Sequence, residues 1–250
     1  MSLALRTEGL TKAFGPLVAA RDIRLALPVG ARHALIGPNG AGKTTVINLL
    51  SGVLAPTGGE VFLGEQRVTH LSQHERVRRG MTRTYQINTL FPNLTVLESV
   101  VLAILERKAL AARWWNTVAS RAAEADEAYQ LLTTLGLERD ANALTRQISY
   151  GKQRLLEIAL ALASRPRILL LDEPAAGIPA GQSADVLGAL AHLPSEVTIL
   201  FIEHDMDLVF RFAERITVLA AGAVLTEGTP REIAGDPRVR EVYLGEAQHG

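Results

Sequence analysis

A nine-residue stretch from Gly37 to Thr45 constrains this chain more than any other part of its sequence. It reads Gly-Pro-Asn-Gly-Ala-Gly-Lys-Thr-Thr and matches the phosphate-binding loop pattern G-x-x-x-x-G-K-[ST] at each fixed position. Residues 33–36 before it have the pattern of a buried strand, and residues 45–50 after it carry the apolar stripe of a helix. Because the motif requires strand, glycine loop and helix in this order, we predict a nucleotide-binding loop rather than an accidental Gly/Pro turn.

The residue types of the loop have distinct expected roles. Its glycines permit backbone dihedrals that a β-carbon would hinder, so loop N–H groups and the helix N-terminus can point at phosphates. Lys43 adds a cation at the β- and γ-phosphates, and the hydroxyl of Thr44 is placed to hold Mg²⁺. The predicted nucleotide-binding residues of the loop are Gly37, Pro38, Asn39, Gly40, Ala41, Gly42, Lys43, Thr44 and Thr45.

Composition limits the class of protein. At 250 residues and 48% hydrophobic content, the chain can form one large α/β domain or one domain with a helical insertion. Its 26 Lys and Arg balance its 26 Asp and Glu, so no global field favours nucleic acid or an anionic membrane. Zero cysteines exclude disulfides, a cysteine nucleophile and thiolate metal sites. No secretory signal and no run of ~18 apolar residues is present, so we expect membrane association only through a partner.

The hydrophobic pattern changes twice along the chain. Residues 1 to about 70 alternate as strands do, residues from about 88 to 164 are helical in period, and strands and helices alternate from about 165. The last pattern is typical of βαβ units around a parallel sheet. The predicted strands are 3–10, 23–27, 33–36, 60–63, 167–171, 198–203, 216–219 and 223–227. The predicted helices follow a capping box at 95–98 and cover 119–135, 152–163, 182–193 and 206–212, with a short helix and a tail at the C-terminus.

Two adjacent carboxylates end the apolar run Ile168 to Leu171. Four aliphatic residues in a row suit a central parallel strand covered on both faces. Asp172 at its end is placed to take Mg²⁺, and Glu173 to polarise an attacking water as general base. The alternative is a strand followed by a solvated acidic turn.

Further motifs resemble those of the ATP-binding-cassette (ABC) ATPases. The run Ile148-Ser-Tyr-Gly-Lys-Gln153 resembles the signature Leu-Ser-Gly-Gly-Gln of that family and precedes the acidic strand. Gln86 lies where the family has its glutamine loop, His204 where it has its switch histidine, and Phe14 where an aromatic residue stacks on adenine. The resemblance covers essentially the whole chain, with six motifs in the family's order.

The resemblance implies an ATP site with Mg²⁺. Phe14 would stack on adenine, His204 would hydrogen-bond the γ-phosphate as a catalytic residue beside Glu173, and Gln86 would sense Mg²⁺ and the attacking water. The implied metal residues are Thr44, Gln86 and Asp172. Taken singly, each residue has an ordinary alternative role. Phe14 could be a core aromatic ring, His204 a hydrogen-bonded histidine at a strand end, and Gln86 an ordinary polar residue.

The signature residues imply a dimer. Ser149, Gly151 and Lys152 at a helix N-terminus would form an anion site that closes over the ATP of a second subunit. The chain has one phosphate loop and one signature, so two subunits would enclose two ATPs. Tyr150 stands where the common form has glycine, and Lys152 where it has glutamine.

The implied fold is an α/β P-loop NTPase of the ABC ATPase type. It has a parallel-sheet core, an N-terminal antiparallel β subdomain and an inserted α-helical subdomain. We expect a single domain over 1–250, with the core and β subdomain at about 1–87 and 165–230. The helical subdomain with the signature would cover about 88–164, and a C-terminal tail about 231–250.

Flanking sequences resemble one branch of the family, the ATPases of branched-chain and other hydrophobic amino acid importers. The similar segments are Arg83 to Gln86, Leu90 to Glu98, Ser149 to Ile158, Asp172 to Gly177, Ile202 to Val209, Glu227 to Pro230 and Val242 to Gly245. The resemblance implies partner permeases that span the membrane and, indirectly, a periplasmic solute-binding protein, with no nucleic acid. It places the chain at the cytoplasmic face of the plasma (inner) membrane. Relatives of this architecture import urea, amides or aromatic acids, so the solute stays open.

Three features depart from the pattern or lie beyond it. Pro179 stands where the family has Asp or Asn in the loop that couples its two sites, and proline lacks that acceptor. We therefore expect Pro179→Asn to change turnover without abolishing ATP binding. The pair Trp114-Trp115 is interpreted as packing within its helical layer rather than as a permease contact. The basic cluster of Arg76, Arg78, Arg79 and Arg83 is interpreted as a solvated helix face rather than a site for acidic groups.

Other classes of protein share this cassette. Soluble assembly scaffolds, such as those of iron–sulfur cluster formation, are the main alternative to a transport subunit. DNA-maintenance machines usually insert long coiled coils, and the sequence has no sustained heptad stretch. A regulatory module with feeble hydrolysis is motivated only by Pro179. Dimerisation with itself and with a sibling ATPase both stay open.

Overall fold

The computed structural model describes residues 2–84, 90–109, 121–178, 180–191 and 193–246. The strands are β1 (Leu3–Phe14), β2 (Leu17–Ile23), β3 (Ala26–Pro28), β4 (Arg32–Ile36), β5 (Gly58–Leu63), β6 (Gln66–Arg67), β7 (Met81–Arg83), β8 (Ile168–Asp172), β9 (Thr198–Ile202), β10 (Arg215–Ala220) and β11 (Ala223–Gly228). The helices are α1 (Lys43–Ser51), α2 (Gln73–Arg78), α3 (Val96–Arg107), α4 (Ala122–Thr134), α5 (Tyr150–Ala163), α6 (Ala180–Ala191), α7 (Met206–Phe212), α8 (Pro230–Gly235) and α9 (Pro237–Glu246). Among these described helices, none combines the length and the apolar content that crossing a bilayer requires.

The chain forms two compact units. The first contains residues 1–83, 167–173 and 194–250, and the second contains residues 84–166 and 174–193. The sequence-based division placed 174–193 with the core. In the structure this segment joins the helical unit, because α6 packs against α5 and the side chain of Arg154 binds the carbonyl of Pro174.

A six-stranded sheet forms the centre of the first unit, in the order β11-β10-β4-β9-β8-β7. All neighbours pair in parallel except β10 and β11. All five residues of β8 and of β9 are buried, as expected for strands covered on both faces. Side chains of α1 pack onto this sheet and complete one hydrophobic core with Leu170, Leu200 and Leu219.

The second sheet of this unit is antiparallel, in the order β2-β1-β5-β6 with β3 also on β1. A single strand over 23–27 was expected here, and this prediction is wrong at its centre. The hydroxyl of Thr7 donates to the carbonyl of Ile23 and accepts from the N–H of Leu25, at 2.9 Å each. A side chain therefore replaces a ladder partner at this point, and the run divides into β2 and β3.

The second unit is helical. The predicted capping box is present, since the hydroxyl of Thr95 accepts from the N–H of Glu98 and the carboxylate of Glu98 accepts from the N–H of Thr95. Arg107 on α3 donates to the carboxylate of Glu127 on α4 at 2.8 and 3.0 Å. These charge-assisted bonds hold the pKa of Glu127 well below its usual range, to about 2. The two helices are thereby fixed to each other.

One expectation about a surface segment is wrong. Arg76 lies on α2, but its side chain is 1% exposed and donates to the carbonyls of Leu49, Leu50, Thr69 and Leu71 at 2.5–3.1 Å. It therefore stabilises the C-terminal end of α1 instead of facing solvent. The described residues of the expected C-terminal tail, about 231–250, lie mostly in α8 and α9.

Candidate functional site

The register of three neighbouring parallel strands brings the predicted site residues to one edge of the sheet. Leu35 of β4 pairs with Ile202 of β9, and Ile202 pairs with Asp172 of β8. The segments that follow these strands are the phosphate loop, the pair Glu203-His204, and Glu173. The carboxyl ends of parallel strands, where the strand order changes direction, are the usual binding crevice of open α/β sheets.

The glycines of the phosphate loop are required by close backbone approaches. Gly37 has φ of 150°, and a β-carbon there would lie 2.3 Å from the carbonyl oxygen of Leu219. Gly42, the N-cap of α1, has φ of 99°, and its β-carbon would lie 2.4 Å from the carbonyl oxygen of Ala19. Side chains at these positions would force the loop off the first turn of α1.

Lys43 begins α1 and turns back over the loop. Its ammonium donates to the carbonyls of Gly37 at 2.6 Å and Pro38 at 2.9 Å, and the residue is 7% exposed. Thr44 beside it is exposed, whereas Thr45 is half-buried. Of the remaining loop residues, Asn39 and Gly40 are exposed and Ala41 is buried. Lys43 and Thr44 are the residues predicted to hold a phosphate and a metal ion, and both lie in the first turn of α1.

Asp172 ends β8 and is held by an arginine that sequence reasoning did not assign to the site. The guanidinium of Arg83 donates to the Oδ2 of Asp172 at 2.7 Å and to the Oδ1 of Asn48 at 2.6 Å. The side chains of Arg83 and Asp172 are 8% and 10% exposed. Arg83 ends strand β7, so its grouping with a solvated helix face is wrong. No local sequence signal marks it, because its partner Asp172 lies 89 residues away along the chain.

Glu173 and His204 are in direct contact. The Nε2 of His204 lies 2.7 Å from the Oε1 of Glu173. Glu173 has φ of 50°, a left-handed conformation that is uncommon for a residue with a side chain, and its N–H donates to the carbonyl of Ile202 at 3.0 Å. Strained residues of this kind cluster at functional sites. The carboxylate remains about a quarter exposed, as a general base needs to be.

Phe14 is 47% exposed at the end of β1, which argues against a core role. The ammonium of Lys12 lies 5.1 Å from the centre of its ring. An exposed ring with a cation on it offers a stacking surface for a purine.

The signature residues lie in the second unit, at the start of α5. Ser149 is the N-cap, with its hydroxyl accepting from the N–H of Lys152, and Gly151 is buried. The ammonium of Lys152 pairs with the carboxylate of Asp140 at 2.7 Å. Tyr150 is 44% exposed, with its ring beside Gly177. Gln86, Pro179 and the pair Trp114-Trp115 lie outside the described residues.

The donor set suits Mg²⁺ bound together with a nucleotide. No group of three or more His, Asp or Glu that could hold a metal ion occurs among the residues the structure describes. Mg²⁺ usually takes one or two protein oxygens and completes its shell with phosphates and water. The carboxylate of Asp172 and the hydroxyl of Thr44 are hard oxygen donors of that kind.

Comparisons with known proteins identify the family of this chain. The model of the ABC transporter family matches residues 20–176, and that of the branched-chain amino acid ATP-binding cassette transporter C-terminal family matches residues 223–249. The chain is 41% identical to the high-affinity branched-chain amino acid transport ATP-binding protein BraF of Pseudomonas aeruginosa, over 97% of this chain and 98% of BraF. It is 40% identical to LivG of Escherichia coli, which has the same description, over the same shares.

Solved structures show the same fold. The ADP conformation of MJ1267, an ATP-binding cassette of an ABC transporter, matches with a TM-score of 0.83 and 28% identity, over 98% of this chain and 99% of the other. A dimeric post-hydrolysis state of the cassette MJ0796, bound to ADP and Pi, matches with a TM-score of 0.73 and 28% identity, over 91% and 99%. The predicted α/β fold of the ABC ATPases is confirmed. This chain belongs to the ABC transporter family.

Proposed function

We propose that this chain is the ATP-hydrolysing subunit of an importer for branched-chain amino acids or a related small solute. The observation that carries the proposal is the convergence of the phosphate loop, the acidic pair and His204 at the ends of β4, β8 and β9. The contact between His204 and Glu173 supports hydrolysis rather than binding alone.

Binding of ATP is assigned to the loop and to Phe14. The phosphates would replace the loop carbonyls as partners of the ammonium of Lys43, and loop N–H groups and the α1 N-terminus would supply further donors. The exposed ring of Phe14 would stack on adenine. The hydroxyl of Thr44 and the carboxylate of Asp172, together with Gln86, would hold Mg²⁺, which neutralises charge on the β- and γ-phosphates.

Hydrolysis is assigned to Glu173 and His204. The carboxylate of Glu173 would orient a water and accept its proton as the oxygen attacks the γ-phosphorus and the bond to the β-phosphate oxygen breaks. The Nε2 of His204 lies 2.7 Å from that carboxylate in this structure and would transfer its hydrogen bond to the γ-phosphate when ATP is bound. The products are ADP and inorganic phosphate.

The solute and partners are inferred from relatives. BraF and LivG are named for branched-chain amino acid transport, and the family match at residues 223–249 carries the same name. The dimeric cassette MJ0796 supports association with a second ATPase subunit, either an identical chain or a sibling ATPase. The contact would involve Ser149, Gly151 and Lys152. We infer multi-span permease partners and, through them, a periplasmic solute-binding protein. The chain would then lie peripherally on the cytoplasmic face of the inner membrane.

Purification of the tagged chain from gently solubilised membranes tests this proposal. We expect hydrophobic multi-span permeases to co-purify. Reconstituted vesicles should then show ATP-dependent uptake of labelled leucine, isoleucine or valine in the presence of the binding protein. A Lys43→Ala chain is the control for ATP dependence. Recovery only from the soluble fraction, with assembly proteins, would contradict transport and favour a scaffold, while leaving the ATP site to be tested separately.

A further inference from the structure

Arg83 joins the two elements that carry the predicted metal ligands. One branch of its guanidinium binds the carboxylate of Asp172 at 2.7 Å, and the other binds the side-chain oxygen of Asn48 on α1 at 2.6 Å. Arginine is suited to this because its planar fork holds two partners in a fixed geometry, which a lysine ammonium does not.

Asn48 lies one helical turn after Thr44 on α1. Residues four apart share one face of a helix, and side chains lean toward the helix N-terminus, so Asn48 covers the turn that begins at Thr44. Arg83 thus contacts one predicted metal ligand directly and the helix turn of the other through Asn48. It also lies three residues before Gln86, the third residue assigned to the metal.

Burial makes this arrangement rigid. The side chains of the ion pair are 8% and 10% exposed, and β7 is fixed to β8 by parallel pairing in which Arg83 is the partner of Leu170. A buried ion pair is screened little by water, and removing one member leaves the other charge uncompensated.

We propose that Arg83 is a positioning residue for the divalent cation: it holds the carboxylate of Asp172 and the first turns of α1, which would bind Mg²⁺, in a fixed arrangement. This inference rests on the proposed assignment of Asp172 and Thr44 to the metal. Partners that orient metal ligands typically change metal affinity or activity by about 10–100-fold when they are replaced.

The test is the affinity of the full chain for a fluorescent ATP analogue, titrated with Mg²⁺, with direct Mn²⁺ binding as a second readout. We expect Arg83→Met and Arg83→Lys to leave the Mg²⁺-free affinity within about twofold. The Mg²⁺ concentration at half effect should rise about tenfold in both. Asn48→Ala should shift it in the same direction by a smaller factor. The matched control is Arg24→Met, which removes an exposed arginine that pairs with Asp22 and should shift nothing.

The competing outcomes are distinct. An unchanged Mg²⁺ midpoint in folded Arg83→Met would overturn the inference and leave a structural ion pair. A lower Mg²⁺ midpoint in Arg83→Met, together with an unchanged midpoint in Arg83→Lys, would also overturn the inference. The positive charge at this position would then only repel the cation. If Arg83→Met does not fold, Arg83→Lys and Asn48→Ala decide by the same midpoint. An unchanged midpoint in Asp172→Asn would refute the metal assignment of the proposed function, and this inference with it.

Discussion

Glu173, the proposed general base, has an unfavourable backbone conformation. A left-handed φ of 50° in a residue with a side chain costs of order 1–3 kcal/mol and persists only where the surroundings fix it. Here the N–H of Glu173 is bound to β9, and its carboxylate is bound to His204. The strain places the carboxylate beyond the end of β8, next to Asp172 but pointing to a different partner.

Glu173→Gln should bind ATP and hydrolyse it about 10²–10⁴-fold more slowly, because the amide cannot accept the proton of water. Steady-state phosphate release and fluorescent-nucleotide titration measure the two effects separately. Glu196→Gln, an exposed loop substitution of the same type, serves as control and should retain wild-type turnover. Near-normal turnover of Glu173→Gln would refute the general-base assignment.

His33 is a buried histidine with a pH consequence. Its residue is 1% exposed and its Nε2 lies 2.7 Å from the hydroxyl of Thr217. Burial lowers the pKa of His33 from 6.5 to about 4. The negative charge of Glu227 opposes this shift, and the positive charge of Arg215 adds to it. The unfolded chain therefore takes up a proton near pH 6.5, whereas the folded chain does so only near pH 4. This contribution to stability is complete above pH 6.5 and is lost as pH falls toward 4.

The free energy of unfolding should consequently fall by about 1 kcal/mol between pH 7 and pH 5.5 through His33 alone. Denaturant unfolding of wild type and His33→Gln at both pH values isolates this part, because glutamine still offers Thr217 a hydrogen bond. The change in the free energy of unfolding between the two pH values should be larger in wild type than in His33→Gln by that loss. His74→Gln, at an exposed position, is the comparison variant. Equal changes with pH in wild type and His33→Gln would rule the effect out.

At the scale of elements, the two ends of α1 differ: the N-terminus is left open, and the C-terminus is bound by a buried arginine. Its N-terminus has no side-chain cap among the described contacts, since Gly42 leaves the first N–H groups open toward the phosphate site. Its C-terminus is bound by the guanidinium of Arg76, whose pKa is lowered to about 10 by burial and which therefore stays charged. A cation at a helix C-terminus is electrostatically favourable.

Arg76→Met should lower the free energy of unfolding by about 2–4 kcal/mol, since it removes several charged hydrogen bonds to buried carbonyls. The measurement is chemical denaturation with nucleotide absent. Arg78→Met on the same helix α2 is exposed and should change stability by less than about 0.5 kcal/mol. Equal effects of the two substitutions would mean that Arg76 does not support α1.

The elements could be predicted from sequence where local signals decided them. The capping box at Thr95, the apolar run of β8 and the helix after the phosphate loop follow from period and caps. The division of 23–27 could not be predicted, because it depends on the hydroxyl of Thr7 from another strand. Arg76 and Arg83 could not be placed either, since their partners on α1 are 26–35 residues away along the chain and the partner of Arg83 on β8 is 89 residues away. Long-range pairing carries no local period.

At the scale of the whole molecule, each chain holds the two halves of its predicted chemistry in different compact units. The phosphate loop, Asp172 and Glu173 belong to the first unit, and Ser149 belongs to the second. If the signature acts on the ATP of a partner, a mutation in it should impair hydrolysis in the dimer without weakening the binding of ATP to the mutated chain's own phosphate loop.

Ser149→Arg should leave the affinity of one chain for a fluorescent nucleotide within about twofold. It should lower hydrolysis by about 10²-fold or more, because the arginine would occupy the anion site at the α5 N-terminus. Ser164→Arg, beyond the other end of α5, is the control with the same added bulk and charge. Loss of nucleotide binding in Ser149→Arg would contradict a role confined to the partner's ATP.

The chain passes between its two units after residues 83, 166, 173 and 193, and two of these crossings adjoin Arg83 and Glu173. At the crossing after Glu173, the next residue is Pro174. Its ring fixes its own φ and restricts the backbone of the residue before it. The free backbone torsions at this crossing are therefore few: the φ of Pro174 is fixed and the ψ of Glu173 is restricted. The residue proposed as general base is thus also the last residue of its segment of the first unit, and no linker separates it from the crossing.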